Sequence, residues 1–138
     1  MQRLNTTILA LVATLILLTA PAHAVEKMPY SPEAFAKAQE AGVPVLIDVY
    51  ADWCPTCERQ QIILNRYMRE NPDSPLKIMV IDYDKNKDWV KAFRAPRQST
   101  LYLYKDNEQR WFAVAPTSSR VIYAAIEKVI GETPSDNS

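Results

Sequence analysis

The sequence has little histidine and no excess of charge of either sign. Its 138 residues include one histidine, and 16 Lys and Arg balance 16 Asp and Glu. Balanced charge removes the electrostatic basis for binding nucleic acid or an anionic membrane surface, so we expect no such partner. Apolar residues make up 48% of the chain, which is typical of one globular domain rather than of a disordered protein.

A long hydrophobic run is also missing. The apolar segment from Ile8 to Leu18 is short of the ~20 residues that a bilayer-spanning helix needs. Arg3 precedes it and Ala22-His23-Ala24 follows it, which is the pattern of an export signal with an A-x-A cleavage site. We therefore expect a signal peptide over residues 1–24, cleavage after Ala24 and a periplasmic protein. An uncleaved membrane anchor is the alternative.

Cleavage would remove His23, the single histidine. The mature chain would then have no imidazole, which excludes Ser-His-Asp and Cys-His catalysis and every histidine-ligated metal site. Any proton transfer would have to use a carboxylate, a thiol or water.

The rest of the chain predicts alternating helices and strands. Ser31 and Pro32 begin the first predicted helix and Gly42 ends it. The apolar run from Val45 to Tyr50 predicts a central strand that is covered on both faces. The later predicted elements are a helix from Cys54 to Asn71, a strand from Leu76 to Tyr83, a helix from Lys87 to Phe93, a hairpin of Thr100–Tyr104 and Arg110–Val114, and a helix from Val121 to Gly131.

This order predicts an α/β fold with a mixed four-stranded sheet and helices on both faces. The domain should cover residues 25–131. Residues 26–30 are expected to be an irregular lead-in, and residues 132–138 a disordered tail.

Cys54 and Cys57 are the only cysteines, and two residues separate them where a predicted strand gives way to a predicted helix. The free N–H groups of a helix N-terminus favour thiolate over thiol. As a structural crosslink the pair would be poor, because so short a loop removes little unfolded-state entropy. As a zinc site it supplies two ligands of four. Redox exchange is therefore the favoured function. A metal- or iron–sulfur-cluster-binding protein and a non-catalytic binding module are the alternatives, and we expect no cofactor and no metal.

Asp48 is an acid within an otherwise apolar strand. Burying an ionised carboxylate is costly, so its pKa should be raised. The alternative is a position at the exposed end of the strand.

The segment from Val45 to Cys57 resembles the active-site segment of the thioredoxin family. The resemblance rests on Trp53-Cys54-Pro55-Thr56-Cys57 with Asp48 six residues before the first cysteine. Tyr50-Ala51-Asp52-Trp53-Cys54 is closest to exported members, such as the C-terminal domain of the bacterial transmembrane thiol:disulfide interchange reductant. The resemblance extends through Ile81-Asp82 and Ser99-Thr100-Leu101 to the last helix.

This resemblance implies a thioredoxin-like fold and a thiol–disulfide oxidoreductase. Cys54 would be the attacking thiolate, Cys57 the resolving thiol, and Asp48 the acceptor of the Cys57 proton. The residues implied to bind substrate are Trp53, Pro55, Gln98, Ser99 and Thr100. The implied partners are protein disulfides as substrates and a membrane thiol reductant as electron donor, with the protein acting as a monomer.

Two departures from the family pattern matter most. Ser99 stands where the family usually has a cis-proline, and we expect the Gln98–Ser99 bond to be trans, because a cis non-proline bond costs about 2.5–4 kcal/mol. Ile78 stands where thioredoxin has a lysine near the buried acid, which would remove one influence on the Asp48 pKa.

Overall fold

Five strands form one mixed sheet between two layers of helices. The computed structural model describes residues 25–132. The elements are β1 (Glu26–Pro29), α1 (Pro32–Glu40), β2 (Val45–Tyr50), α2 (Pro55–Glu70), β3 (Lys77–Asp82), α3 (Lys87–Ala92), β4 (Thr100–Lys105), β5 (Glu108–Val114) and α4 (Ser119–Gly131). The predicted signal peptide, and the predicted tail beyond Glu132, lie outside the described residues. Across residues 25–132, no helix combines the length and the apolar character that crossing a membrane requires.

The predicted α/β class is confirmed, but the sheet has one strand more than the four expected. The prediction of irregular structure over residues 26–30 is wrong, because β1 pairs in parallel with β3. The sequence did not predict this strand, because it contains charged residues and a proline and has no apolar alternation. Both are tolerated at a sheet edge, where pairing depends on the backbone rather than on an apolar pattern.

The strand order β1-β3-β2-β4-β5 places β2 at the centre. β2 is parallel to β3 and antiparallel to β4. Because β4 runs in the opposite direction, its first residues lie beside the last residues of β2, and Val49 pairs with Thr100. The register therefore brings Ser99 next to the carboxyl end of β2, where the cysteines follow.

The side chains of β2 alternate between two hydrophobic cores. Leu46 packs in the core that α2 and α4 cover, and Ile47 packs in the core that α1 and α3 cover. Because side chains in a strand alternate, Asp48 lies on the same face as Leu46. The acid is therefore directed towards α2, the helix that begins with the cysteines.

Several local signals are confirmed. The Ser31 hydroxyl accepts the Ala34 N–H at 3.1 Å as the N-cap of α1, and Gly42 has a φ of +67° after that helix. Asp106 and Asn107 both have positive φ, as a tight hairpin turn requires.

A buried lysine joins β4 to the end of α4. The Lys105 ammonium donates to the carbonyls of Val129 at 3.2 Å and Ile130 at 3.3 Å, and also to that of Glu132. The last carbonyls of a helix lack partners within the helix and carry partial negative charge. Lys105 therefore ties the last helix to the sheet.

Replacing this lysine should destabilise the fold without touching the cysteines. In Lys105→Met the side-chain length is kept and the donor is lost, so the free energy of unfolding should fall by about 1.5–3 kcal/mol. Urea unfolding measures this change. Lys128→Met, at an exposed position of α4, is the matched control and should change stability by less than about 0.5 kcal/mol. Equal effects of the two variants would contradict the assigned role.

Candidate active site

Cys54 and Cys57 are both buried and reduced at the start of α2. Cys54 is the N-cap residue, and its sulfur accepts the backbone N–H of Cys57 at 3.1 Å. Pro55 occupies the first turn, where its missing N–H costs nothing. The first thiol therefore lies where free helix N–H groups favour a negative charge.

The surroundings shift the pKa values of the two thiols in opposite directions. Burial raises the pKa of Cys54, but hydrogen bonds with the Cys57 thiol, the Ser99 hydroxyl and the N–H groups of Cys57 and Thr56 lower it, and the net result is a lowered pKa. Burial raises the pKa of Cys57, and the hydrogen bond with Cys54 raises it further. These are the directions that an attacking Cys54 and a resolving Cys57 require; the roles themselves stay predictions.

Asp48 is fully buried within β2, on the face of the strand that α2 covers. Burial raises its pKa to about 6, and the hydrogen bond from Gln61 and the charge of Lys27 oppose that rise. The Gln61 amide donates to Oδ2 at 2.6 Å, while Oδ1 has no hydrogen-bond partner among the described residues. A carboxyl with this pKa can both accept and release a proton near neutral pH.

Lys27 of β1 completes a polar chain that leads to Asp48. Its ammonium donates to the side-chain carbonyl of Gln61, whose amide in turn binds the carboxylate. A cavity of about 350 Å³ is lined by Lys27, Tyr50, Gln61, Asn65 and Val80. Solvent in this cavity reaches the side chains that contact the buried acid.

The assignment of Ile78 as the neighbour of the acid is wrong. In the sheet register Asp48 pairs with Val80, whereas Ile78 pairs with Leu46 and is fully buried in the core beneath α2. The positive charge that acts on Asp48 comes from Lys27 on β1, which β3 separates from β2 in the sheet.

Ser99 lies against both sulfur atoms. Its Oγ is 3.0 Å from the Cys54 sulfur and 3.1 Å from the Cys57 sulfur. The Gln98–Ser99 peptide bond is trans, as expected, since no cis peptide occurs in the described residues. Its backbone N–H donates to the Val49 carbonyl at 2.7 Å, a bond that a proline could not make.

The predicted substrate-binding residues surround the cysteines in differing environments. Trp53 is 60% exposed, and its indole N–H donates to Asp84 Oδ2 at 2.7 Å. Pro55 is exposed and Gln98 half-buried. Thr100 is buried, and its hydroxyl donates to the Arg97 carbonyl. Their contact with substrate stays a prediction.

Three residues of the site were not predicted from the sequence: Lys27, Gln60 and Gln61. Gln60 had a detectable signal, because it is a polar residue at helical spacing with the buried side chains of Cys57 and Leu64. Lys27 had none, because its strand has no apolar pattern.

Within the described part of the chain, no three or more His, Cys, Asp or Glu side chains are grouped so that they could hold a metal ion. The two thiols supply half of the four ligands that a structural zinc takes.

Comparisons with known proteins agree with this geometry. The thioredoxin family model matches residues 26–128. The chain is 34% identical over 80 residues to the thiol:disulfide interchange protein DsbE of Haemophilus influenzae, covering 55% of this chain and 40% of that relative. It therefore spans about two fifths of the length of that relative. It is 27% identical over 88 residues to thioredoxin of Pseudomonas aeruginosa, covering 64% of this chain and 81% of that one.

Solved structures show the same fold. Trxlp from Edwardsiella tarda EIB202 superposes with a TM-score of 0.68 at 36% identity, covering 72% of this chain and 97% of that chain. A thioredoxin mutant from Halobacterium salinarum NRC-1 gives a TM-score of 0.68 at 22% identity, covering 83% and 99%. The matched family model and the buried dithiol after β2 lead to one conclusion: this chain belongs to the thioredoxin family and is a thiol–disulfide oxidoreductase.

Proposed function

We propose that the protein is an exported reductase of protein disulfides that receives its electrons from a membrane thiol reductant. We infer the direction of electron flow from the chemical nature of the groups that lower the Cys54 pKa. The identified groups are neutral hydrogen-bond donors. A strongly oxidising dithiol requires a strongly stabilised reduced form, and neutral donors stabilise a thiolate less than a cation does.

Negative charge near the pair supports the same direction. Asp48 lies buried on the α2 face of β2, and Glu58 is in the first turn of α2. Both carboxylates oppose a thiolate at the helix start. The reduced dithiol is thus only moderately stabilised, which favours giving electrons to a substrate.

The reaction proceeds in two exchange steps. The Cys54 thiolate attacks one sulfur of the substrate disulfide, the substrate S–S bond breaks, and a mixed disulfide and a substrate thiolate form. Cys57 then gives its proton to Asp48 and attacks the Cys54 sulfur, so the internal disulfide forms and the second substrate thiolate leaves. The substrate gains two electrons and the dithiol loses two.

The pattern of Arg3, the apolar core and Ala22-His23-Ala24 supports the proposed export. In an oxidising compartment a dithiol stays reduced only if a donor supplies electrons. A dithiol in a membrane protein meets that need. In this proposal the protein acts as a monomer.

The redox state inside the cell tests this proposal. The full chain is expressed in a bacterium with a periplasm, cells are quenched with acid, and free thiols are alkylated before fractionation. We expect a mature protein that begins at Val25, in the periplasmic fraction, with both cysteines reduced. The variant with both cysteines changed to serine controls for the alkylation shift.

Equilibration of the purified protein with a thiol buffer gives the reduction potential. We expect a value of about −200 mV or more negative, as for reducing members such as thioredoxin at about −270 mV. A value near −120 mV, or a periplasmic pool that is mostly oxidised, would show an oxidant. Retention of the uncleaved chain in the membrane fraction would overturn the proposed export.

A further inference from the structure

Ser99 has a backbone conformation that serine rarely adopts. Its φ is +64° and its side chain is fully buried. A residue other than glycine in this region is strained, and such strain persists only where surrounding contacts enforce it. The strained residue is in contact with both reactive sulfur atoms.

Three hydrogen bonds hold the backbone of this residue, and a fourth orients Gln60, which makes one of the three. The N–H of Ser99 donates to Val49 at 2.7 Å, and its carbonyl accepts the Ala115 N–H at 2.8 Å. The same carbonyl accepts the Gln60 amide at 3.0 Å, and that amide also binds the Pro116 carbonyl at 3.0 Å. The hydroxyl is left to face the two sulfurs.

One hydroxyl carries one hydrogen, so it cannot donate to both sulfurs at once. A thiolate can only accept a hydrogen bond. When Cys54 is a thiolate, the Ser99 O–H can donate to it at 3.0 Å. The Cys57 thiol has one hydrogen as well, which either the Cys54 sulfur or Ser99 Oγ can accept. Both contacts are close to 3 Å, so rotation about the Cβ–Oγ bond is enough to redirect the hydrogen.

We propose that Ser99 is a catalytic residue. Its hydroxyl group donates a hydrogen bond to the Cys54 sulfur during attack and to the Cys57 sulfur during resolution. When Cys54 bonds to the substrate sulfur it loses its charge, and negative charge next develops on Cys57 as its proton passes to Asp48. The hydroxyl stays protonated throughout, and only its hydrogen bond changes partner. This inference rests on dithiol exchange alone and not on the direction of electron flow.

Gln60 is the positioning residue for this hydroxyl. It is fully buried and lies on α2 one turn after Cys57. Its amide reaches across to both Ser99 and Pro116. The helix that carries the thiols thus also fixes the residue that binds them.

Two substitutions separate the hydroxyl from the backbone strain. Ser99→Ala and Ser99→Gly both remove the hydroxyl, but glycine relaxes the positive φ and alanine keeps it strained. Both should raise the Cys54 pKa by about one to two units, because a hydrogen bond to a charged group is lost. Ser99→Gly should unfold at a higher denaturant concentration than Ser99→Ala. The thiolate absorbance as a function of pH reports the pKa.

The reaction with 5,5′-dithiobis(2-nitrobenzoic acid) separates the two steps. One thionitrobenzoate leaves on attack and a second on resolution. Both Ser99 variants should slow the first phase about tenfold at neutral pH, and they should also slow the second. An unchanged Cys54 pKa in both variants, or a shift in Ser99→Ala alone, would overturn the proposal. A normal second phase would overturn the role in resolution.

A double-variant cycle tests Gln60. Gln60→Met should raise the Cys54 pKa by a smaller amount than Ser99→Gly, because the hydroxyl remains but is held less firmly. In the double variant the pKa should equal that of Ser99→Gly, since Gln60 acts through the hydroxyl. Additive shifts would show that Gln60 acts on the thiols by another route and would remove its positioning role.

Discussion

Cys57→Ser should hold substrate proteins on the enzyme as mixed disulfides. Attack by Cys54 remains possible, because the thiol with the lowered pKa is untouched. Release requires the neighbouring thiol, whose effective concentration far exceeds that of any thiol in solution. At millimolar external thiol the mixed disulfides should therefore persist more than ~10³-fold longer than in the unmodified protein.

Acid quenching followed by non-reducing electrophoresis detects these complexes, and mass spectrometry identifies the trapped proteins. Cys54→Ser is the matched control. It retains the buried thiol of raised pKa and should trap almost nothing. Equal trapping by the two variants would mean that the assignment of attacking and resolving cysteines is wrong.

Asp48→Asn should slow resolution and leave attack largely intact. Asparagine keeps the shape of the side chain but cannot accept the Cys57 proton. The second thionitrobenzoate phase should slow about 10²-fold at neutral pH, while the first changes little. In the unmodified protein the second phase should become faster as Asp48 ionises, with a midpoint at about pH 6. That inflection should be absent from the variant.

The same substitution should stabilise the fold, and by more at high pH. Burial raises the pKa of Asp48 from 3.8 to about 6, so the folded state binds this proton more tightly than the unfolded chain does. The resulting stabilisation is complete below about pH 4 and is lost as the pH rises to about 6. At pH 7 Asp48→Asn should therefore be more stable by about 3 kcal/mol, and the difference should shrink towards pH 4.

Asp88→Asn removes an exposed carboxylate on α3 and serves as the control for both measurements. It should change neither the second phase nor the pH dependence of unfolding. A slowed first phase in Asp48→Asn, together with unchanged stability, would show that the acid acts on Cys54.

The sequence predicts the central parts of the fold, because their signals are local. The apolar run of β2 and the N-cap of α1 need no knowledge of the rest of the chain. β1 was not predictable in this way, because an edge strand is formed by backbone pairing with β3. The choice of Ile78 rather than Val80 is a shift of two residues, which keeps the correct face of the strand but selects the wrong neighbour.

The site, too, has residues that the sequence predicts and residues that it does not. The two cysteines and Asp48 could be found from residue type and spacing alone. The conformation of Ser99 could not, because nothing in the local sequence indicates a positive φ at a serine. That conformation depends on the antiparallel register of β2 and β4 and on Gln60, which is distant in sequence. Contacts of this kind are properties of the assembled sheet.

Lys27 links the ionisation of the buried acid to the motion of the first strand. β1 has four residues at the edge of the sheet, and short edge strands with few buried contacts are among the first parts of a fold to open. When β1 separates, Lys27 leaves Gln61, and its charge no longer lowers the Asp48 pKa. Linkage is reciprocal, so ionised Asp48 holds β1 in place more firmly than protonated Asp48 does. In the proposed mechanism, each proton that passes from Cys57 to Asp48 would therefore loosen this strand until solvent takes the proton away.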